Sequence, residues 1–215
     1  MAVKILFILF FLGTSVCRAL DPPEPTITQI EFTFIATNLP PDSAGARPKA
    51  MYLAGNKYAR IEQPADSVSD LKNLIVVNDR DIWVVDGRTK SAQHSVNRDT
   101  DSEVHNPILG PDCPTELFAL EYGHELAFFE QNAARSHRSK NVDAEKCETL
   151  ELNTSGYFVA MSVDMAKRKP LELKVKKDGV SLFQIRYLKY ENNLPFDKRL
   201  FNPPSDVKIS EEDVE

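Results

Sequence analysis

From Ile30 to Ala36 the apolar residues Ile30, Phe32, Phe34 and Ala36 alternate with Glu31 and Thr33, the two-residue period of a strand with one dry face. The preceding Asp21-Pro22-Pro23-Glu24-Pro25 refuses helix. Beyond the loop Pro40–Pro48, Lys49–Leu53 and Lys57–Glu62 flank Ala54-Gly55-Asn56, a Gly-containing loop suited to a hairpin. Asn73–Asn78 and Asp81–Asp86 repeat this design around Asp79-Arg80, and Asp86-Gly87 starts the turn into Lys90–Val96. Strands joined by such short connections predict an antiparallel meander.

The period changes in the middle of the chain. Over Pro114–Ala134 one apolar set is Leu117, Leu120 and Phe128 and another is Phe118, Tyr122 and Phe129, at steps that fit an α-helix with a broad apolar side. Thr115 is placed to cap its start, and Gly123 to split it into two pieces. After a basic polar segment, Arg135–Lys140, strands are expected at Glu148–Leu152, Tyr157–Asp164, Leu171–Lys176 and Val180–Tyr190, the last two joined by a hairpin turn at Lys177-Asp178-Gly179. Ser205–Glu215 reads as an acidic, solvated tail. A long antiparallel sheet with one helical insert must cover its apolar face, and one insert covers so many strands only if the sheet curls. The expected fold is mainly β (α+β): a strongly curved antiparallel sheet or incomplete β-barrel, with a helical lid across its concave face and a hollow wherever the lid does not fill it.

The chain has 215 residues, 42% hydrophobic and 27% charged, which fits one packed domain and neither a disordered chain nor a multispanning membrane protein. Lys4, the apolar run Ile5–Leu12, the small residues that follow and Cys17-Arg18-Ala19 compose a secretory signal peptide, cleaved after Ala19. The run is far short of the roughly 20 residues that a spanning helix needs. Lipidation at Cys17 is disfavoured by Val16 and Thr14, which stand where a small residue and Leu are usual. The expected organisation is thus a leader at 1–19, one domain at 20–204 and the tail at 205–215. Removing the leader takes away Lys4 and Arg18 but no acid, so the net charge falls from −6 to −8. No general basic field exists to attract nucleic acid. Cys113 and Cys147 remain, an even pair expected to form a disulfide in an oxidising compartment; closing a loop of about 35 residues would contribute roughly 3 to 4 kcal/mol.

The sequence carries little catalytic chemistry. His124-Glu125 lacks the second His of a zinc-protease pair, because Phe128 occupies that position. Glu121, His124 and His137 have only loose metal-ligand spacing. Asn97, Asp99, Asp101 and Glu103 begin like a calcium loop, but the turn Gly is absent and Gly110 stands where the closing Glu belongs. There is neither a nucleophile elbow nor a phosphate-cradling glycine loop. The expectation is therefore no catalytic residue, no metal and no cofactor; an extracytoplasmic enzyme would have to use His124, Glu121 or Asp101. Asn153-Thr154-Ser155 matches the glycosylation sequon.

The aromatic residues are the remaining candidates. Phe32, Phe34, Tyr52, Trp83, Phe183 and Tyr187 fall in strands and Phe118 and Phe128 in the helical insert, so they serve either as ordinary core or as the lining of an apolar cavity. Asp81-Ile82-Trp83-Val84-Val85-Asp86-Gly87-Arg88-Thr89-Lys90 and the C-terminal stretch Pro170–Ile209, with Tyr187-Leu188-Lys189-Tyr190, Asn193-Leu194-Pro195-Phe196-Asp197 and Leu200-Phe201-Asn202-Pro203-Pro204, carry a resemblance. In strand order, export signal and these two patterns the chain resembles the bacterial outer-membrane lipoprotein carriers of LolA type and their half-barrel relatives, in broad pattern over residues 26–209. Pro22, Pro23 and Pro25 stand where the mature carrier usually opens with a helix. The resemblance implies a periplasmic, non-enzymatic protein that encloses acyl chains between curved sheet and lid, with lipid or an acylated protein as cargo. The alternative on the same fold is an envelope sensor or adaptor that acts through a protein partner, such as an envelope membrane protein, using the acidic tail or Arg135–Lys140 as its contact surface.

Overall fold

The computed structural model describes residues 25–36, 46–63, 73–99, 103–133, 136–140 and 147–211. The strands are β1 (Ile27–Ala36), β2 (Lys49–Ala54), β3 (Tyr58–Gln63), β4 (Asn73–Asn78), β5 (Asp81–Asp86), β6 (Ser91–Val96), β7 (Ser136–Lys140), β8 (Cys147–Thr154), β9 (Tyr157–Asp164), β10 (Lys169–Lys177), β11 (Val180–Leu194) and β12 (Lys208–Glu211). Among the described residues the α-helix is α1 (Glu125–Gln131), between β6 and β7, with 3-10 turns at Thr115–Leu117 and Lys198–Phe201. All twelve strands form one curved sheet that does not close, in the order β12-β6-β5-β4-β3-β2-β1-β11-β10-β9-β8-β7. Neighbours run antiparallel except β12, which lies parallel to β6. The two meanders, β2–β6 and β7–β11, meet at β1, which pairs with β2 on one side and β11 on the other.

Local chemistry sets the hairpins. Asp178 and Gly179 have φ of 49° and 81°, and Ser155 and Gly156 have 49° and 81°, the positive values that a two-residue turn between twisted strands needs. At Gly156 a Cβ would stand 2.5 Å from Asp178 Oδ1. The Asp178 side chain could swing away, so it is the positive φ that favours glycine there.

Strand alternation separates two apolar clusters. On the concave face Ile30 and Phe32 of β1, Met51 and Leu53 of β2, Leu173 and Val175 of β10 and Val159, Met161 and Val163 of β9 pack beneath the connection from β6 to β7. That connection carries Ile108, Leu109, Leu117, Leu120, Leu126, Phe128 and Phe129 into the same cluster. On the convex face Ile27, Ala54, Leu74, Val76, Val85 and Ala92 are covered by the segment after β11, whose Phe201 is fully buried and is flanked by Phe196, Leu200 and Val207. Arg60 Nη1 donates to the carbonyl of Leu200 at 3.1 Å and holds this segment against β3.

Several sequence expectations are corrected. The split expected at Gly123 is present, at φ +85°, but the piece before it is only a 3-10 turn at Thr115–Leu117 and the α-helix is confined to α1. Thr115 does not cap: Pro114 holds the N-cap position and no side chain bonds there. The polar stretch expected at Arg135–Lys140 contributes a strand, β7, that extends the sheet through β8. The tail also joins the sheet, as β12, because Lys208–Glu211 finds the open edge of β6. Leu117, Leu120, Phe128 and Phe129 of the lid point into the concave core and are shielded from solvent. Cys113 and Cys147 stand as free thiols instead of a bridge: Cys113 is buried in the concave core, and Cys147 opens β8 opposite Asp164. The leader expected at residues 1–19, with Cys17, lies outside the described residues, as do Asp101, Arg135 and 212–215.

Candidate functional site

A continuous cross-strand row runs over the concave face from the core to open solvent. Tyr190 opposes Ile30, Ile30 opposes Met51, Met51 opposes Ile61, Ile61 opposes Ile75, Ile75 opposes Val84, and Val84 opposes Gln93. Burial declines along it. Ile30 is 0% exposed, Ile61 is half-buried, Ile75 is 37% exposed and Val84 is 47% exposed. The lid covers the β1 and β8–β11 side and leaves the β4–β5 side of the concavity uncovered.

Lys49 lies one step along β2, directly opposite Phe32. Its Nζ stands 5.7 Å from the centroid of Phe34, and Phe34 stacks on Phe183 at 4.8 Å between centroids. Burial holds the Lys49 ammonium below the usual lysine range. A cleft of about 490 Å³ at the ends of β2 and β3 is lined by Arg47, Lys49 and Gln63, with Glu31 and Glu62 at its wall.

The polar centre of the concave core is Glu125, in the first turn of α1. Tyr187 Oη donates to its Oε1 at 2.7 Å and Tyr190 Oη donates to its Oε2 at 2.8 Å. The backbone N–H groups of Glu125 and Gly123 also face the carboxylate. Burial pushes the Glu125 carboxyl up, and the phenol and backbone donors oppose that shift. Burial first and the Glu125 charge second raise Tyr187, Tyr190 and Tyr122, so all three remain phenols. The cluster pins the lid to β11. The lid is tied at two further points, by Val104 N–H to the Asn56 carbonyl at 2.7 Å and by Arg168 Nη2 to Glu130 Oε1 at 2.7 Å.

The structure divides the aromatic candidates. Phe32 is buried and stacks on Tyr122 at 4.7 Å, Phe128 is core beneath the lid, and Tyr187 belongs to the Glu125 cluster. Phe34 and Phe183 form the half-buried pair beside Lys49. Tyr52 and Trp83 belong to the convex cluster, and Trp83 stacks there on His94, whose Nε2 lies 2.8 Å from Asp81 Oδ1. Phe118 is 46% exposed and lines a separate cleft of about 510 Å³ with Pro107, Leu109 and Pro111. At that cleft His105 Nδ1 lies 2.7 Å from Glu121 Oε1, so Glu121 is engaged by His105. Among the described residues no group of three His, Cys, Asp or Glu side chains is placed to hold a metal ion.

Sequence reasoning weighed Glu125 only as part of a failed zinc-protease motif and did not single out Tyr190, Lys49, Ile61, Ile75 or Val84 as site residues. Two signals were available. Glu125 precedes Phe128 and Phe129 by three and four residues, on the apolar side of its helix. Lys49 shares the parity of Met51 and Leu53, which puts it on their face of β2. Among the described residues no helix is long and apolar enough to cross a membrane.

No protein-family model and no curated protein sequence matches this chain. Among solved structures, the chain is similar to an uncharacterized conserved protein from Thermus thermophilus, at TM-score 0.47 and 10% sequence identity over 87% of this chain and 91% of that one. It is also similar to a LolA superfamily protein from Nitrosomonas europaea, at TM-score 0.31 and 11% identity over 85% of this chain and 91% of that one.

Proposed function

We propose that the protein is an exported, non-enzymatic lipid-binding or lipoprotein-carrying protein that shelters acyl chains on the uncovered part of its concave face. The supporting observation is the row Ile61–Ile75–Val84, which continues the dry core into solvent without a polar interruption before Gln93. A sheet face that needs no ligand would be expected to turn polar where its cover ends. The chain of a lipid laid on this row would lose water along its length, at roughly 0.8 kcal/mol for each methylene buried. Cargo would thus sit beside the lid, not beneath it, where core side chains already occupy the space. Export and the carrier role rest on the leader-like N-terminus and on the sequence resemblance. The test is purification from the native host without detergent, extraction into organic solvent and mass spectrometry. Stoichiometric lipid is expected; an empty protein that also ignores fluorescent fatty acids would refute the reading.

A second reading has its own observation. Among the described residues nothing pairs with the outer side of β7, so its backbone offers an edge onto which an adaptor's partner could add a strand. Crosslinking in cells separates the two readings, because an adaptor keeps one protein partner when Ile75 and Val84 are made polar and a carrier loses its cargo.

A further inference from the structure

We infer that the lipid taken up by the concave row carries a single negative charge at one end, and that the Lys49 ammonium holds that charge. The inference rests on the lipid-binding reading above and adds the chemistry of the head. Lys49 is the cation that strand parity places on the concave face next to the row. Its ammonium lies over the Phe34 ring, and among the described residues no carboxylate lies within ion-pair distance of it. An ammonium half withdrawn from water without a counter-ion is an unfavourable arrangement that a bound anion would relieve.

The nearby acids do not fill this role. Glu31 and Glu62 occupy convex-face positions of β1 and β3, and Glu62 is paired with Arg60. Asp86 shares the face of Lys49 but lies three strands away, roughly 14 Å at ordinary strand spacing. Its Oδ1 accepts from the N–H groups of Arg88 and Thr89. The same span separates Lys49 from Val84, so a chain held at Lys49 by its head can lie along β3, β4 and β5 and end against Gln93. Burial lowers the basicity of Lys49, and no acid among its neighbours raises it again. Arg47 in the same cleft has a partner of its own, so among the described residues Lys49 offers one ammonium without an ion pair, which favours a fatty carboxylate over a head with two charges.

The experiment is calorimetric titration of the full chain with dodecanoate and with dodecanol, which share a chain and differ in charge. Dodecanoate is expected to bind about tenfold tighter, the scale of one charge-assisted hydrogen bond. Lys49→Met should remove that advantage and leave dodecanol binding unchanged, and Lys49→Arg should restore it. If both probes bind the native protein and Lys49→Met leaves dodecanoate affinity intact, the anion is not held at Lys49, although the apolar row stands. If neither probe binds, the lipid-binding reading falls together with this one. Thermal melts of the variants show whether each remains folded.

Discussion

Tyr187 and Tyr190 are three residues apart on β11, yet they donate to the two oxygens of one buried carboxylate, that of Glu125. In a regular strand residues three apart point to opposite faces. Here β1 pairs Glu31 with Lys189 and Phe32 with Tyr187, so Leu188 is an extra, bulged residue that returns both tyrosines to the concave side. The bulge thereby lets one strand satisfy both lone-pair sides of the only described acid buried in the core.

Glu125→Ala should lower stability in urea unfolding by about 3 kcal/mol, because two buried phenols lose their acceptor. Tyr187→Phe and Tyr190→Phe should each cost about 1 kcal/mol, since the carboxylate keeps its other donors. A Glu125→Ala loss no larger than that of an exposed substitution would show that the cluster does not pin the lid.

The same carboxyl sets an unusual pH response. Its folded value is raised by burial above the ordinary 4.5, so its contribution is fully present below that value and is lost as pH rises through the raised one. This is opposite in sign to a carboxylate held in an ion pair. Unfolding measured at a series of pH values from 4.5 upward should show a decline in the native protein that Glu125→Gln flattens. An identical slope in the variant would locate the response elsewhere.

Much of this architecture can be read from the chain, and the parts that cannot have specific causes. Asn73–Asn78, Asp81–Asp86 and Tyr157–Asp164 were legible to the residue because alternation and a turn signal coincide at their ends. β7, Ser-His-Arg-Ser-Lys, has no apolar alternation, and it joins the sheet by pairing with β8. β12 depends on an edge made far earlier in the chain, a relationship no local pattern encodes. The helical period between Leu117 and Phe129 was real, but Gly123 interrupts it with a conformation other residues adopt at a cost, and there a Cβ would stand 3.0 Å from Leu53 Cδ1. The curvature and lid were legible from the imbalance between sheet and helix. Which aromatics share a face was not, because Tyr52 and Trp83 fall on the opposite parity from Met51 and Val84.

Ile75→Asp and Val84→Asp should abolish binding of a fluorescent fatty acid while changing the melting temperature little, since both side chains are partly in water already. Trp83→Ala, on the convex face, should leave that binding unchanged. Loss of binding in Trp83→Ala with retention in Val84→Asp would move the site to the other face.

With both cysteines reduced, a thiol reagent should label Cys147 ahead of Cys113, which is buried and whose thiol burial pushes up. Full labelling of two thiols in protein prepared without reductant is the expected result. Resistance of both until reductant is added would reveal a bridge.

Phe201→Ala should cost about 3 to 5 kcal/mol, as befits a fully buried ring that packs with Tyr58 and Phe196. Calorimetry gives the measurement. A small effect would mean that the segment after β11 rests on the convex face without stabilising it.

The central seam of the sheet joins β1 to β11, with every strand from β2 to β10 between them in sequence. Ribosomes emit those two strands far apart in time, and during the interval β1 can zip only to β2. Neither meander alone supplies both walls around the Glu125 cluster, so the dry interior cannot close until Val180–Leu194 has been made. Closure of that interior therefore waits on a pairing between strands far apart in sequence, which makes it a slow, non-local step of folding.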